Sequence, residues 1–170
     1  MDNDIVLFLG SSSIRKWKTP NMSMNADVIN FGMSRLTTNE LGKYFDHLPN
    51  ISPKYILVWI GMNDVLYSRN QPNQIIENIT QFTEILLIKF PKSHIVVLSI
   101  LKSPKLYDLR KDKTVDYINR KLKDYYMATK NKSVYRNINR YLHDDKYYGV
   151  DRFHLNSLGY AKLNEHFVIG

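Results

Sequence analysis

Three short turns hold most of the chemistry this chain could perform. Gly10-Ser11-Ser12-Ser13 follows the strand-like segment Asp4–Leu9. Gly32-Met33-Ser34 follows Val28–Phe31, and Gly61-Met62-Asn63-Asp64 follows Tyr55–Ile60. A serine at a strand-to-helix turn sits near the positive end of the helix, which favours developing negative charge. It is therefore either a nucleophile whose attack creates an oxyanion or simply an N-cap. A phosphate cradle is the third reading, but the Gly-rich spacing and Lys of a P-loop are missing. Asn63, at the end of an apolar strand, either donates its amide to an oxyanion or makes an Asx-turn with Asp64.

A serine nucleophile needs a base, and the base needs an orienting acid. The chain has five histidines, His47, His94, His143, His154 and His166. His47 lies near the end of a polar helical turn, His94 opens a strand and His166 is late in the last helix. His143 stands beside Asp144 and Asp145 without a second His or a Cys to complete a ligand set. His154 lies in Asp151-Arg-Phe-His154, just before the final helix. That spacing lets a carboxylate face one ring nitrogen while the other points outward, although a capping turn would look the same.

The elements around these turns alternate strand and helix. Tyr55–Ile60 and His94–Leu101 are apolar on both faces, as expected for a parallel sheet covered by helices. A helix over Leu36–His47 is capped by Thr37 or Thr38. Another opens at Pro72 and shows the stripe Ile75, Ile79, Phe82 and Leu86. A third is capped by Asp108 or Asp112, with Val115, Ile118, Leu122 and Tyr125 or Tyr126 inward. Ser133–Ile138 is a weaker strand. Asn156 or Ser157 starts a final helix with Leu158, Ala161, Leu163 and Phe167. About five β-α repeats predict an α/β fold, flavodoxin-like and three-layered (α/β/α), with a five-stranded, mainly parallel sheet. Residues 1–170 are expected to form a single domain. In such sheets ligands bind beyond the carboxyl ends of the strands, where the three turns lie.

Composition narrows the function. The 170 residues include no cysteine, which excludes a disulfide scaffold, a thiol nucleophile and thiolate metal sites. The longest apolar runs, such as Ile5–Leu9, are far short of the ~20 residues that cross a bilayer. The acidic start, Met1-Asp-Asn-Asp, lacks the basic region of a signal peptide. A cytoplasmic, soluble protein without a membrane span is expected. Net charge is +8, and residues 101–152 supply most of it, with 14 basic and 7 acidic side chains. That stretch is either a solvated face or a surface for an anionic partner. Acids alternate with the bases and no nucleic-acid signature accompanies them, so no nucleic-acid partner is expected.

Taken together and in order, these segments resemble the SGNH hydrolases, the GDSL esterase/lipase superfamily. Four family blocks are matched by Phe8 to Arg15, Asn30-Phe31-Gly32-Met33-Ser34, Gly61-Met62-Asn63-Asp64 and Asp151 to Asn156 with Gly159-Tyr160. The resemblance implies that Ser12 is the nucleophile, His154 the general base and Asp151 its orienting acid. It implies an oxyanion hole of the Ser12 and Gly32 backbone N–H groups and the Asn63 side chain, with no metal or cofactor. Ser11 stands where the family's Gly-Asp-Ser motif has Asp, so Ser11 and Ser13 are rivals of Ser12. The implied function is a serine esterase acting on short-chain, acetyl-type O-esters, on a small molecule or a carbohydrate such as an acidic glycan. O-acetyltransferase, lysophospholipase or thioesterase activity and a non-catalytic binding module are the alternatives. A metal-binding receiver of similar fold is disfavoured, because the first strand lacks the acidic pair it needs.

Overall fold

The computed structural model describes residues 4–18, 26–67 and 70–166. Five strands, β1 (Asp4–Gly10), β2 (Ala26–Gly32), β3 (Tyr55–Trp59), β4 (His94–Leu98) and β5 (Ser133–Arg136), form one sheet in the order β2-β1-β3-β4-β5. Every neighbouring pair is parallel. The central strands β1 and β3 are buried over most of their length, as two-sided coverage requires. Strand order reverses between β1 and β3, so their carboxyl ends flank the switch point where such sheets bind ligands.

Helices α1 (Ser12–Lys16), α2 (Leu41–Asp46), α3 (Met62–Tyr67), α4 (Pro72–Lys89), α5 (Pro104–Asp108), α6 (Asp112–Ala128) and α7 (Ser157–His166) complete a three-layer α/β/α fold. The stripe Ile75, Ile79, Phe82 and Leu86 of α4 is buried, as are Val115, Ile118, Leu122 and Tyr126 of α6. Tyr126 rather than Tyr125 turns inward, its hydroxyl 2.9 Å from that of Thr83 on α4. Helices α1 and α7 meet through aromatic and polar contacts: Trp17 lies 6.2 Å from Tyr160 and donates to Asn164 Oδ1 at 2.9 Å. Among the described residues no helix is long and apolar enough to cross a membrane.

Several local expectations are corrected. Neither Asp108 nor Asp112 caps α6, which is preceded by Lys111 and has Asp112 in its first turn. Asp108 instead ends α5, a helix opened by Ser103-Pro104, with the Ser103 hydroxyl accepting from Leu106 N–H. Serine followed by proline at the first helical position was the readable signal for α5. Strand β4 stops at Leu98, three residues early, because the Asn119 side-chain amide bonds both the N–H and the C=O of Ile100 in place of a neighbouring strand. Strand β5 stops at Arg136, and the N–H of Ile138 turns to the Ser99 hydroxyl. In α7, Leu163 is buried but Leu158 and Ala161 are exposed. The buried position is Gly159, packed so closely on the Tyr147 carbonyl that a Cβ would lie 2.3 Å from it. Phe167 lies outside the described residues.

Candidate active site

The turn after β1 is forced by close packing. Gly10 has φ +148°, and a Cβ there would lie 2.0 Å from the Trp59 carbonyl oxygen. Only glycine meets both conditions without strain. The chain then starts α1 at Ser12, whose N–H, in the first helical turn, has no intrahelical acceptor. The three serines diverge. Ser12 Oγ lies 2.8 Å from His154 Nε2, whereas Ser13 Oγ faces Met62 Sδ at 3.8 Å. Ser11 precedes the helix without a side-chain capping bond.

His154 comes from a short closed loop before α7. Tyr148 and Leu155 form an antiparallel bridge. Gly149 N–H donates to His154 O at 2.8 Å, and the Asn156 side chain donates to the Lys146 and Tyr148 carbonyls. Within this loop Asp151 Oδ1 accepts from the N–H groups of Phe153 and His154, each at 3.0 Å. Its Oδ2 lies 2.7 Å from His154 Nδ1. Phe153 is buried and meets the imidazole edge-on, with ring centroids 5.0 Å apart. With Asp151 ionised, Nδ1 holds the proton and Nε2 is left to accept from the Ser12 hydroxyl.

Partial burial of Asp151 pushes its pKa up, but the hydrogen bond to His154 and the two backbone N–H groups outweigh it and hold the carboxyl at about 2. A depressed carboxyl stabilises the fold above the unfolded-state pKa of ~3.9, and this contribution fades as pH falls towards 2. Ester turnover that declines with acid above pH ~4 is thus expected to reflect a group other than Asp151. A pH profile of kcat/KM for Asp151→Asn, measured on its residual activity, should still fall in acid; disappearance of that acid limb would assign it to Asp151.

Asn63 lies in α3 and is buried, rather than forming an Asx-turn. Its Nδ2 donates one proton to Leu36 O at 3.0 Å, and the residue lines the same cavity as Ser12 and His154. Its neighbour Asp64 is buried and accepts from the Thr38 N–H and hydroxyl and from Asn70, tying α3 to the 3-10 turn at Thr38–Glu40. Burial pushes the Asp64 carboxyl up, and these bonds oppose that shift.

Gly32 is placed by close approach: a Cβ would lie 2.3 Å from Arg15 N. Its N–H, however, is occupied by Asn30 Oδ1 at 3.0 Å, while Asn30 Nδ2 donates to the Ile14 and Trp17 carbonyls at the end of α1. Tyr44 of α2 is buried in the core. Its hydroxyl accepts from Gly10 N–H at 3.2 Å and donates to Phe31 O at 2.5 Å, fastening the ends of β1 and β2 beneath the site.

Other histidines are placed elsewhere. His166 stacks on Tyr141 at 4.3 Å, and His47 and His94 are exposed. His143, Asp144 and Asp145 do not assemble a metal site, since no group of three or more potential ligands does so among the described residues. The cavity over Ser12 measures about 550 Å³. A larger one, about 710 Å³, lies beyond β4 and β5 and contains no nucleophile–base pair.

The fold is thus a three-layer α/β/α frame whose parallel sheet brings a serine, a histidine and an aspartate into one hydrogen-bonded series at its switch point. The chain belongs to the GDSL-like Lipase/Acylhydrolase family, whose pattern it matches over residues 15–162, just after Ser12. Among solved structures it is similar to a Streptococcus pneumonia protein provisionally described as a platelet activating factor. There the TM-score is 0.81 at 20% identity, over 97% of this chain and 82% of that one. It is also similar to a Clostridium thermocellum family 3 carbohydrate esterase, with TM-score 0.78 at 15% identity over 96% and 92% of the two chains. A variant acetyl-xylooligosaccharide esterase from Geobacillus gives TM-score 0.72 at 16% identity over 95% and 91%. At these identities the likeness is one of fold. No curated protein sequence matches the chain.

Proposed function

We propose that this family member is a serine esterase that hydrolyses short-chain O-esters, acetyl above all, on a polar alcohol such as a carbohydrate. The observation that supports this most directly is the hydrogen-bonded series Ser12–His154–Asp151, at 2.8 and 2.7 Å. In this reading Ser12 Oγ attacks the ester carbonyl while His154 Nε2 takes its proton. The tetrahedral oxyanion collapses, and the proton passes to the departing alcohol oxygen. Water, deprotonated by His154, then attacks the acyl-enzyme and releases the acid. Asp151 holds the ring orientation and stabilises the imidazolium. The Ser12 N–H and the second Asn63 amide proton face the developing oxyanion. Gly32 contributes once its N–H exchanges Asn30 Oδ1 for that charge. The carbohydrate esterases among the similar folds, and a cavity walled by Ser34, Thr37 and Asn63, favour a small acyl group on a polar alcohol.

A fluorophosphonate probe with peptide mapping, beside a p-nitrophenyl acetate assay, tests this. Label on Ser12 with acetate release is expected. Folded protein that neither labels nor turns over ester would overturn the reading. Asn63→Ala is expected to lower kcat by on the order of 10²–10³ with little change in KM, because its amide is spent on the transition state. An equal rise in KM would instead place Asn63 in ground-state binding.

A further inference from the structure

We infer that the cavity over Ser12 selects esters whose alcohol portion bears an anionic oxygen group, held by Lys16 and Arg35. This rests on the esterase reading and adds the charge of the substrate to it. Of the described residues that line the cavity, Lys16 and Arg35 are cations, and no Asp or Glu is among them. Neither cation makes an ion pair or a side-chain hydrogen bond among the described residues, so no described carboxylate answers either charge.

The basic stretch 101–152 behaves differently. It supplies three strong cations to the larger cavity, and two of them are already answered. Lys102 pairs with Asp116 at 2.9 Å, and Arg152 bridges Asp108 and Asp145 at 3.0 and 3.1 Å. The third, Arg140, lies over the Tyr141 ring at 4.6 Å. In the larger cavity two of the three cations are thus paired, whereas the two that flank Ser12 come from elsewhere in the chain.

Their placement is built in. Lys16 ends α1, one turn beyond Ser12, so it shares that short helix with the candidate nucleophile. Arg35 has φ +64°, a left-handed conformation uncommon for an arginine, in the turn closed by Leu36 N–H to Met33 O. Non-glycine residues held in that region concentrate at functional sites. An open, cationic cleft without counter-charges raises the local concentration of anionic ligands and strengthens their hold, and salt weakens both effects. Carboxylate and phosphate share the chemistry that a guanidinium and an ammonium recognise.

The test uses three acetyl esters on one sugar frame: O-acetylated methyl glucoside, glucuronic acid and glucose 6-phosphate. The native protein is expected to show at least a tenfold higher kcat/KM on one or both anionic esters than on the neutral one, with the advantage shrinking as salt rises. The carboxylate and phosphate arms reveal which anion is preferred. Arg35→Gly suits this position because glycine adopts the left-handed conformation freely. Together with Lys16→Gln it should collapse the anionic-to-neutral ratio. Arg140→Gln, in the other cavity, should leave that ratio unmoved. Turnover of all three esters at similar kcat/KM would overturn the anion assignment and leave the esterase reading standing, as would a ratio insensitive to Lys16 and Arg35. Hydrolysis of none of these esters or of p-nitrophenyl acetate would overturn both.

Discussion

Ser12→Ala is expected to lower kcat for p-nitrophenyl acetate by about 10⁴-fold or more, the scale on which removal of an activated serine acts. The substitution deletes one oxygen from a small, mostly buried side chain, so the fold should persist with at most a small shift in thermal midpoint. What disappears is the atom 2.8 Å from His154 Nε2. The neighbours cannot replace it: Ser13 Oγ is turned to Met62, and Ser11 sits before the helix. The loss should therefore be complete to the limit of residual oxyanion stabilisation. Activity within tenfold of the native protein would show that a different group attacks the ester and would end the Ser12 assignment.

Asp151→Asn is expected to cost about 10⁴ in kcat, while KM stays near its native value. The asparagine is nearly isosteric. Its side-chain oxygen is held by the N–H groups of Phe153 and His154, as Oδ1 is now. Its amide nitrogen then takes the place of Oδ2, 2.7 Å from His154 Nδ1. A donor there requires Nδ1 to accept, which moves the ring proton to Nε2. Nε2 would then donate towards Ser12 instead of taking its proton. Because Asp151 acts through the imidazole, substrate affinity should be spared. Steady-state kinetics with a circular-dichroism melt would decide this: a mainly KM effect would show that Asp151 acts on substrate, and loss of the fold would show that its part is structural.

Much of the architecture was readable because burial on two faces leaves a strong mark. Tyr55–Trp59 and Asp4–Gly10 are apolar on both sides, and their ends are marked by glycines at tight turns. Ser12 and Asn63 lie just beyond such ends, so their place at the switch point followed from the fold class, whereas Asp151 and His154 lie in the loop before α7 and were singled out by their spacing and the family resemblance. What escaped notice was decided by side chains reaching across the structure. The early end of β4 depends on Asn119, 19 residues beyond Ile100. Asn30 leaves no local sign that it occupies the Gly32 N–H. The expectation for Asp108 failed similarly, since its carboxylate is claimed by Arg152, 44 residues away. Charge misled for a related reason: counting along the chain drew the eye to 101–152, whereas the cations that line the Ser12 cavity, Lys16 and Arg35, lie outside that stretch.

In the proposed reading, acid and base share one loop of a few residues, which changes what the rest of the molecule must hold constant. The relative position of Asp151 and His154 is written into local backbone bonds, so it has almost no freedom to drift as the sheet breathes. The proposed proton relay then hangs on one coordinate, the gap between Ser12 and His154, spanned by 142 positions of chain. Errors in folding or slow distortions elsewhere do not degrade the site gradually through many loosened parts. They enter through that single gap, and a displacement of about one ångström there separates a coupled proton carrier from two inert halves.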